Sequence, residues 1–248
     1  MHNVKVKYGQ QPFDFNEGVM SFMSPKQVFS VTAEKKEEQV KKSGRAIYVH
    51  PDFIWNTSLA KTIKDYDFWD YSLNEALFLS LKEEALVNNI IQNISKEVKS
   101  NIDKYTKQII VSQIEGLLSY SDRFYGRQFI TREKSNHQIL ERLEYRLDNY
   151  FGDDNLINKG LPTVRFIAEE MQLSPKYLTG LLQSLTGQST QQHIHNKLIE
   201  KAKEKLSTSQ LTVSEISYSL GFEHIQSFSK LFKTKTNLSP NEFRRSFN

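Results

Sequence analysis

Residues 212–243 read TVSEISYSLGFEHIQSFSKLFKTKTNLSPNEF, and three helix signals are packed into them. Val213, Ile216, Ser217 and Leu220 stand at i, i+3, i+4 and i+7, the spacing of a short helix with one buried face. Gly221-Phe222-Glu223 breaks that period, and Phe228, Leu231 and Phe232 start a second one. Thr212 with Glu215 forms a capping box, Leu211 and Ile216 are placed as a hydrophobic staple, and Ser239-Pro240-Asn241-Glu242 opens a further helix with an N-cap followed by Pro. Two short helices joined by a tight turn make a helix-turn-helix.

The same unit occurs earlier in the chain. Residues 163–194 match 212–244 when slid by 49 positions and then, after one insertion near Ile225, by 50. Val164, Ile167, Ala168 and Met171 repeat the first helix, Gln172-Leu173-Ser174 the break, and Leu178, Leu181, Leu182 and Leu185 the second helix, with Ser174-Pro175 as N-cap and first helical residue. Between the copies, residues 189–206 place Ile194, Leu198, Ala202 and Leu206 on one stripe with Lys197, Lys201 and Lys205 beside it. Such a helix is about 27 Å long at about 1.5 Å per residue. The spacing between successive major-groove faces is about 34 Å. One chain can therefore set two different readers on neighbouring groove segments without a palindrome.

The outward residues of each second helix point to DNA. They are Lys176, Thr179, Gly180 and Gln183 in the first copy, and His224, Gln226, Ser229, Lys230 and Lys233 in the second, with no acid among them. Gln, Ser and Thr can donate to and accept from base edges, and Lys can reach guanine or phosphate. Charge agrees: residues 155–248 hold 12 Lys and Arg against 7 Asp and Glu, while the preceding 154 hold 21 against 22. The basic excess lies wholly at the carboxy-terminal end, where a polyanion-binding module is expected.

Other chemistry is poorly provided for. With no Cys, disulfides, iron–sulfur clusters and thiol nucleophiles are excluded. His2, His50 and His137 are scattered singly, and His193 and His195 sit about 200° apart on a helix, unable to share one ion. No Gly-x-Ser-x-Gly elbow or Gly-rich phosphate loop is present. The expectation is a protein with no catalytic residue, no metal and no cofactor. No apolar run reaches the ~20 residues of a membrane span, and no signal segment opens the chain, so a cytoplasmic protein without membrane contact is expected. The competing reading is a helical protein–protein adaptor that does not bind DNA.

Upstream, alternation over Val4, Val6 and Tyr8 and over residues 19–23, 27–32 and 46–49 predicts a small antiparallel sheet. Residues 74–81 predict a short helix, followed by helices over 82–99 (Leu86, Ile90, Ile94, Val98) and 102–125 (Tyr105, Ile109, Ile110, Ile114, Leu117, Leu118), whose stripes serve either the protein's own core or a second subunit. The aromatic cluster Phe53, Trp55, Tyr66, Phe68, Trp69 and Tyr71 reads as core packing. Ile139, Leu143, Leu147 and Tyr150 mark another helix. The domain reading is 1–130 for sheet and helices, 131–160 for a linker helix and connector, and 161–248 for the double helix-turn-helix domain.

With TGQSTQQHI from Thr186, the run from Val213 through IS-x-x-LGF and SFSKLFK, and the closing TNLSPNEFRRSF, the last ~90 residues resemble the DNA-binding domain of the AraC/XylS family of bacterial transcription regulators. The resemblance implies a mostly α protein: an all-α domain of two helix-turn-helix units joined by a linker helix, preceded by a small partial cupin-like β region and a helical dimerisation segment. It implies base contacts from Lys176, Thr179, Gly180, Gln183, Ile225, Gln226, Ser229 and Lys230, with His224 and Lys233 beside them. Ser174, Lys197, Lys201 and Arg244 are the expected phosphate contacts, joined by Lys176, Lys233 and the recognition-helix amides. Gly180 departs from the long polar residue that members often carry, which assigns the first reader to phosphate anchoring. Residues 14–31 and 44–55 resemble the later strands of a sensor whose opening strands the chain is expected to lack. Implied partners are double-stranded DNA, a second copy in a homodimer, a small-molecule effector and RNA polymerase, in a regulator classed with transcription activators.

Overall fold

A computed structural model describes residues 7–8, 11–12, 18–25, 27, 44–131, 133–152 and 156–247. The chain divides into two compact units, residues 1–131 and 132–248. It is mostly helical, as expected, and among the described residues no helix is long and apolar enough to cross a membrane.

In the amino-terminal unit, β1 (Lys7–Tyr8) pairs antiparallel with β2 (Gln11–Pro12), and β3 (Gly18–Met20) with β4 (Leu77–Leu79) in the register Gly18↔Leu79, Met20↔Leu77. Short helices α1 (Pro51–Ile54) and α2 (Leu59–Thr62) precede β4, and α3 (Leu81–Lys99) and α4 (Thr106–Thr131) follow it and pack on each other. The open edge of β4 is closed by α4. Gln128 Oε1 accepts the Phe78 N–H at 2.8 Å, its Nε2 donates to the Ala76 carbonyl at 3.2 Å, and Arg127 Nη2 donates to the Phe78 carbonyl at 2.7 Å. A side-chain amide carries both a donor and an acceptor, so one Gln replaces a missing neighbouring strand.

Three local expectations are corrected. Residues 77–79 form a strand in place of the predicted helix over 74–81, because Leu77, Phe78 and Leu79 are all buried, and a short apolar run has the same signature in either structure. Residues 46–49 are irregular rather than a strand. Ile94, Ile110, Ile114, Leu117 and Leu118 are buried as predicted, joined by Val87 and Val111, whereas Val98, Tyr105 and Ile109 of the predicted stripes are exposed. Expected strands over residues 4–6 and 28–32 lie outside the described residues. Phe68 is buried against Phe22, Tyr66 and Tyr125 at ring separations of 4.3, 5.2 and 5.8 Å, placing these aromatics in the core, whereas Trp55 is exposed.

The carboxy-terminal unit contains α5 (Glu133–Phe151), α6 (Leu156–Lys159), α7 (Val164–Glu170), α8 (Pro175–Thr186), α9 (Thr190–Thr208), α10 (Val213–Ser219), α11 (Ile225–Thr236) and α12 (Pro240–Arg245). One core runs through it: Leu143 and Leu147 from α5, Ile167 and Leu178 from the first copy, Leu198 and Ala202 from α9, and Ile216, Phe228 and Phe232 from the second. Residues 139–151, read from sequence as a linker helix, thus contribute side chains to this core. Helix α9 touches α5, α8, α10, α11 and α12, so it packs with both copies at once.

Candidate nucleic-acid interface

The repeat is reproduced in backbone detail. In the first turn Gln172 takes φ 58° and the Leu173 N–H donates to the Ala168 carbonyl at 2.9 Å; in the second Gly221 takes φ 86° and the Phe222 N–H donates to the Ser217 carbonyl at 3.2 Å. All three equivalences are 49 positions apart. After the insertion, Gly187 (φ 71°) and Asn237 (φ 62°) end α8 and α11 in the left-handed conformation, 50 apart. A left-handed residue at a helix C-terminus turns the chain sharply and satisfies its last carbonyls.

Caps fix where the helices start. Ser174 Oγ accepts from the Tyr177 N–H, Thr212 Oγ1 from Glu215, Ser189 Oγ from Gln192 and Ser239 Oγ from Glu242. The Glu215 and Glu242 carboxylates, held by hydrogen bonds from Thr212 and Ser239, titrate below the usual carboxylate range. Helix α11 is the exception, because His224 occupies its N-cap without a side-chain cap bond. Its first amides are open to an anion, whereas the hydroxyl of Ser174 already meets the start of α8.

The expected base readers fall into two groups. On α11, His224, Gln226, Lys230 and Lys233 are exposed and Ser229 and Ile225 half-buried, with no acid on the helix. Lys233 lies near Glu242, and Lys235, which the sequence reading did not single out, donates to Asn196 Oδ1 on α9 at 2.9 Å. On α8, Lys176 and Gln183 are exposed, while Thr179 and Gly180 are half-buried. Gln183 Nε2 donates to the Gly187 carbonyl at 2.9 Å, and the hydroxyls of Thr179 and Thr190 share a hydrogen bond at 3.0 Å.

The expected phosphate contacts have partners inside the unit. Ser174 is buried at its cap. Lys197 Nζ lies 2.7 Å from Asp148 and 3.3 Å from Glu200, and the hydrogen bond from Asp148 raises its pKa above the ordinary lysine value. Lys201 pairs with Glu204 at 3.1 Å, one turn away on the same exposed surface. Arg244 Nη2 donates to the Leu211 carbonyl at 2.6 Å, tying α12 to the loop before α10. No sequence spacing announces Asp148 or Leu211 as these partners, because they lie 49 and 33 residues away.

A duplicated helix-turn-helix on one core, presenting cations and uncharged hydrogen-bonding side chains on its second recognition helix, defines a DNA-binding module. Comparison with known proteins agrees. A family model described as a helix-turn-helix domain matches residues 167–246. The E. coli K12 protein YijO, described as an uncharacterised HTH-type transcriptional regulator, is 25 % identical over 158 residues, 64 % of this chain and 52 % of that protein. The HTH-type transcriptional activator RhaS of an E. coli O139:H28 strain is 23 % identical over 214 residues, 83 % of this chain and 74 % of its own length. The chain therefore spans about half of YijO and three quarters of RhaS. The C-terminal domain of AraT, a response regulator from Geobacillus stearothermophilus, is 28 % identical and covers 44 % of this chain and 84 % of that domain, with a TM-score of 0.38. The carboxy-terminal unit carries a helix-turn-helix domain, and the chain is similar to HTH-type transcriptional regulators.

Proposed function

We propose that the chain binds double-stranded DNA sequence-specifically, laying α8 and α11 into successive major-groove segments and regulating transcription from that position. The observation that carries the reading is the backbone-level repetition of the unit around α9. At 19 residues, α9 is about 28 Å long, close to the roughly 34 Å between neighbouring groove faces. Gln226 and Lys230 read bases; Lys176, Lys201, Lys233 and the open amides of α11 hold phosphates. Ser174, Lys197 and Arg244 would reach a phosphate only by giving up the cap bond, the Asp148 pair and the Leu211 carbonyl. A homodimer is proposed through the amino-terminal unit, where Val98, Ile102, Tyr105 and Ile109 leave apolar surface exposed at the ends of α3 and α4. A small-molecule effector and RNA polymerase are the further proposed partners, and the cytoplasm the proposed compartment.

Salt titration tests the DNA reading against the adaptor alternative. Each neutralised phosphate contributes about −0.9 to the slope of log K against log salt. An affinity for duplex DNA that stays level between about 50 and 200 mM salt would refute the proposal. Gln226→Ala should cost about 1–3 kcal/mol on the preferred sequence and relax selectivity there. An equal loss on every duplex would reassign Gln226 to the backbone.

A further inference from the structure

The carboxy-terminal ends of α8 and α11 are both attached to one turn of α9, from His193 to Asn196. At the end of α8, the Thr186 hydroxyl donates to the Leu182 carbonyl at 2.8 Å, so its 2.9 Å bond with His193 Nε2 is donated by the ring. Gln188, which follows the left-handed Gly187, accepts from Asn196 Nδ2 at 2.7 Å. At the end of α11, Lys235 Nζ donates to Asn196 Oδ1 at 2.9 Å. One side chain is thus bonded to both copies. A lysine only donates, so its bond fixes which way the Asn196 amide faces: the oxygen towards α11 and the nitrogen towards Gln188.

The two attachments differ in what backs them. The end of α8 is held twice, through Thr186 and through Gln188. On α11, Phe228 and Phe232 fill the core under the middle of the helix, whereas near its end a groove of about 260 Å³ lies against α9, lined by Asn196, Ile199, Glu200, Lys203 and Lys235. Apolar packing is non-directional and does not close this groove. Among the described residues, no hydrogen bond other than that from Lys235 to Asn196 joins α9 to α11. Without it, the last turn of α11 is free to pivot on its Phe228 and Phe232 seat, turning the helix relative to α8.

Resting on the DNA-binding reading above, we infer that Asn196 is a positioning residue: by tying Gln188 to Lys235 it sets the separation of the two recognition helices, and with it the spacing between the two DNA segments that the chain accepts. Lys235 acts here through Asn196 and not on a phosphate. A duplex whose segments lie one base pair closer together or further apart fits only if the tie breaks. The net worth of one hydrogen bond therefore bounds the discrimination it supplies, at about two- to ten-fold.

A preferred duplex selected from a randomised library with the full chain, then lengthened or shortened by one base pair between its two selected segments, tests this. The chain should bind the altered duplexes less tightly, and Asn196→Ala should shrink that penalty by about two- to ten-fold without changing the bases selected within either segment. Lys235→Met and Gln188→Ala, which each cut one side of the tie, should do the same, and combining either with Asn196→Ala should add nothing further. Lys235→Arg keeps a donor and should keep the penalty. Asn196→Asp retains the acceptor for Lys235 but loses the donor for Gln188, so it should behave as Gln188→Ala does. Asn196 and Lys235 are exposed, so these variants keep the core, and matching thermal melts check it. A spacing penalty absent from the unmodified chain or intact in Asn196→Ala, a preferred duplex with a single selected segment, or a salt slope that falls by about 0.9 in Lys235→Met would overturn the inference while leaving DNA binding intact. Failure to retain any duplex at low salt would instead remove the DNA-binding reading itself, and this inference with it.

Discussion

Gly221 is the tightest point of the second helix-turn-helix, and Gly221→Ala tests how the two halves of the carboxy-terminal unit are joined. A methyl group there meets two obstacles. The first is conformational: at φ 86° an L-residue pays about 1–2 kcal/mol that glycine does not. The second is steric: the added Cβ would lie 2.8 Å from the Gly160 carbonyl carbon, 2.9 Å from its oxygen and 3.2 Å from its Cα. These are backbone atoms and cannot swing aside. Gly160 is also held in place, its N–H donating to the Leu156 carbonyl at 2.8 Å and its carbonyl accepting from Tyr150 Oη at 3.1 Å. Overpacking against such a site costs about 1–3 kcal/mol. The total is about 2–5 kcal/mol, a large fraction of the ~5–15 kcal/mol that stabilises a domain. Gly187 supplies the control. Its φ of 71° is also left-handed, but a Cβ there meets nothing within 4 Å, so Gly187→Ala should show the conformational cost alone. Hydrogen exchange of α10 and α11 amides in the full chain reads the difference directly, with Gly221→Ala weaker than Gly187→Ala by about 1–3 kcal/mol. Equal losses, within about 0.5 kcal/mol, would refute the steric argument and the tight backbone seam between the connector and the second turn.

The Ser217 hydroxyl is buried and without a hydrogen-bond partner among the described residues, and the first copy carries Ala168 at the equivalent place; Ser217→Ala should therefore raise stability by about 1 kcal/mol, and a lower melting temperature would show that the hydroxyl is in fact paired. Lys197→Ala, which breaks the Asp148 pair, should cost up to about 1 kcal/mol at neutral pH. Because the folded-state lysine pKa is raised, that stabilisation is complete below the unfolded value near 10.5 and fades as pH rises through the folded one, while the salt slope of DNA binding stays put; a slope flattened by about 0.9 would place Lys197 on a phosphate. Burial holds the His193 and His195 pKa values below 6.5, so the unfolded chain takes up their protons first. Stability of the carboxy-terminal unit should accordingly fall as pH drops from 6.5 towards the folded values, and His193→Gln with His195→Gln should flatten that fall; an undiminished fall in the double variant would trace it to other groups.

What was legible in the sequence tracks the range of the interaction responsible. Caps and turns are local. Ser174-Pro175, Thr212 with Glu215 and Ser239-Pro240 mark helix starts that the structure keeps within a residue, and the left-handed Gln172 and Gly221 fall in the two predicted breaks. The 49- and 50-residue offsets carried the fold further, since a repeated short-range pattern implies a repeated unit. Interactions spanning many residues were not legible. Ala76, Leu77, Phe78 and Leu79 form a strand flank because Gln128 and Gly18–Met20 supply its two edges, about 50 and 60 residues away. Nothing in the four apolar residues separates that outcome from a helix. The same distinction runs through the candidate interface. Residue type announced that Gln226, Lys230, Lys176 and Lys197 could all meet DNA, and it could not announce that Lys197 already faces Asp148, or that Thr179 is bound to a buried Thr190. Two helices that look alike in composition thus differ in which side chains are already hydrogen-bonded within the unit, Thr179 to Thr190 and Gln183 to the Gly187 carbonyl, and such pairing depends on contacts that residue type alone does not encode.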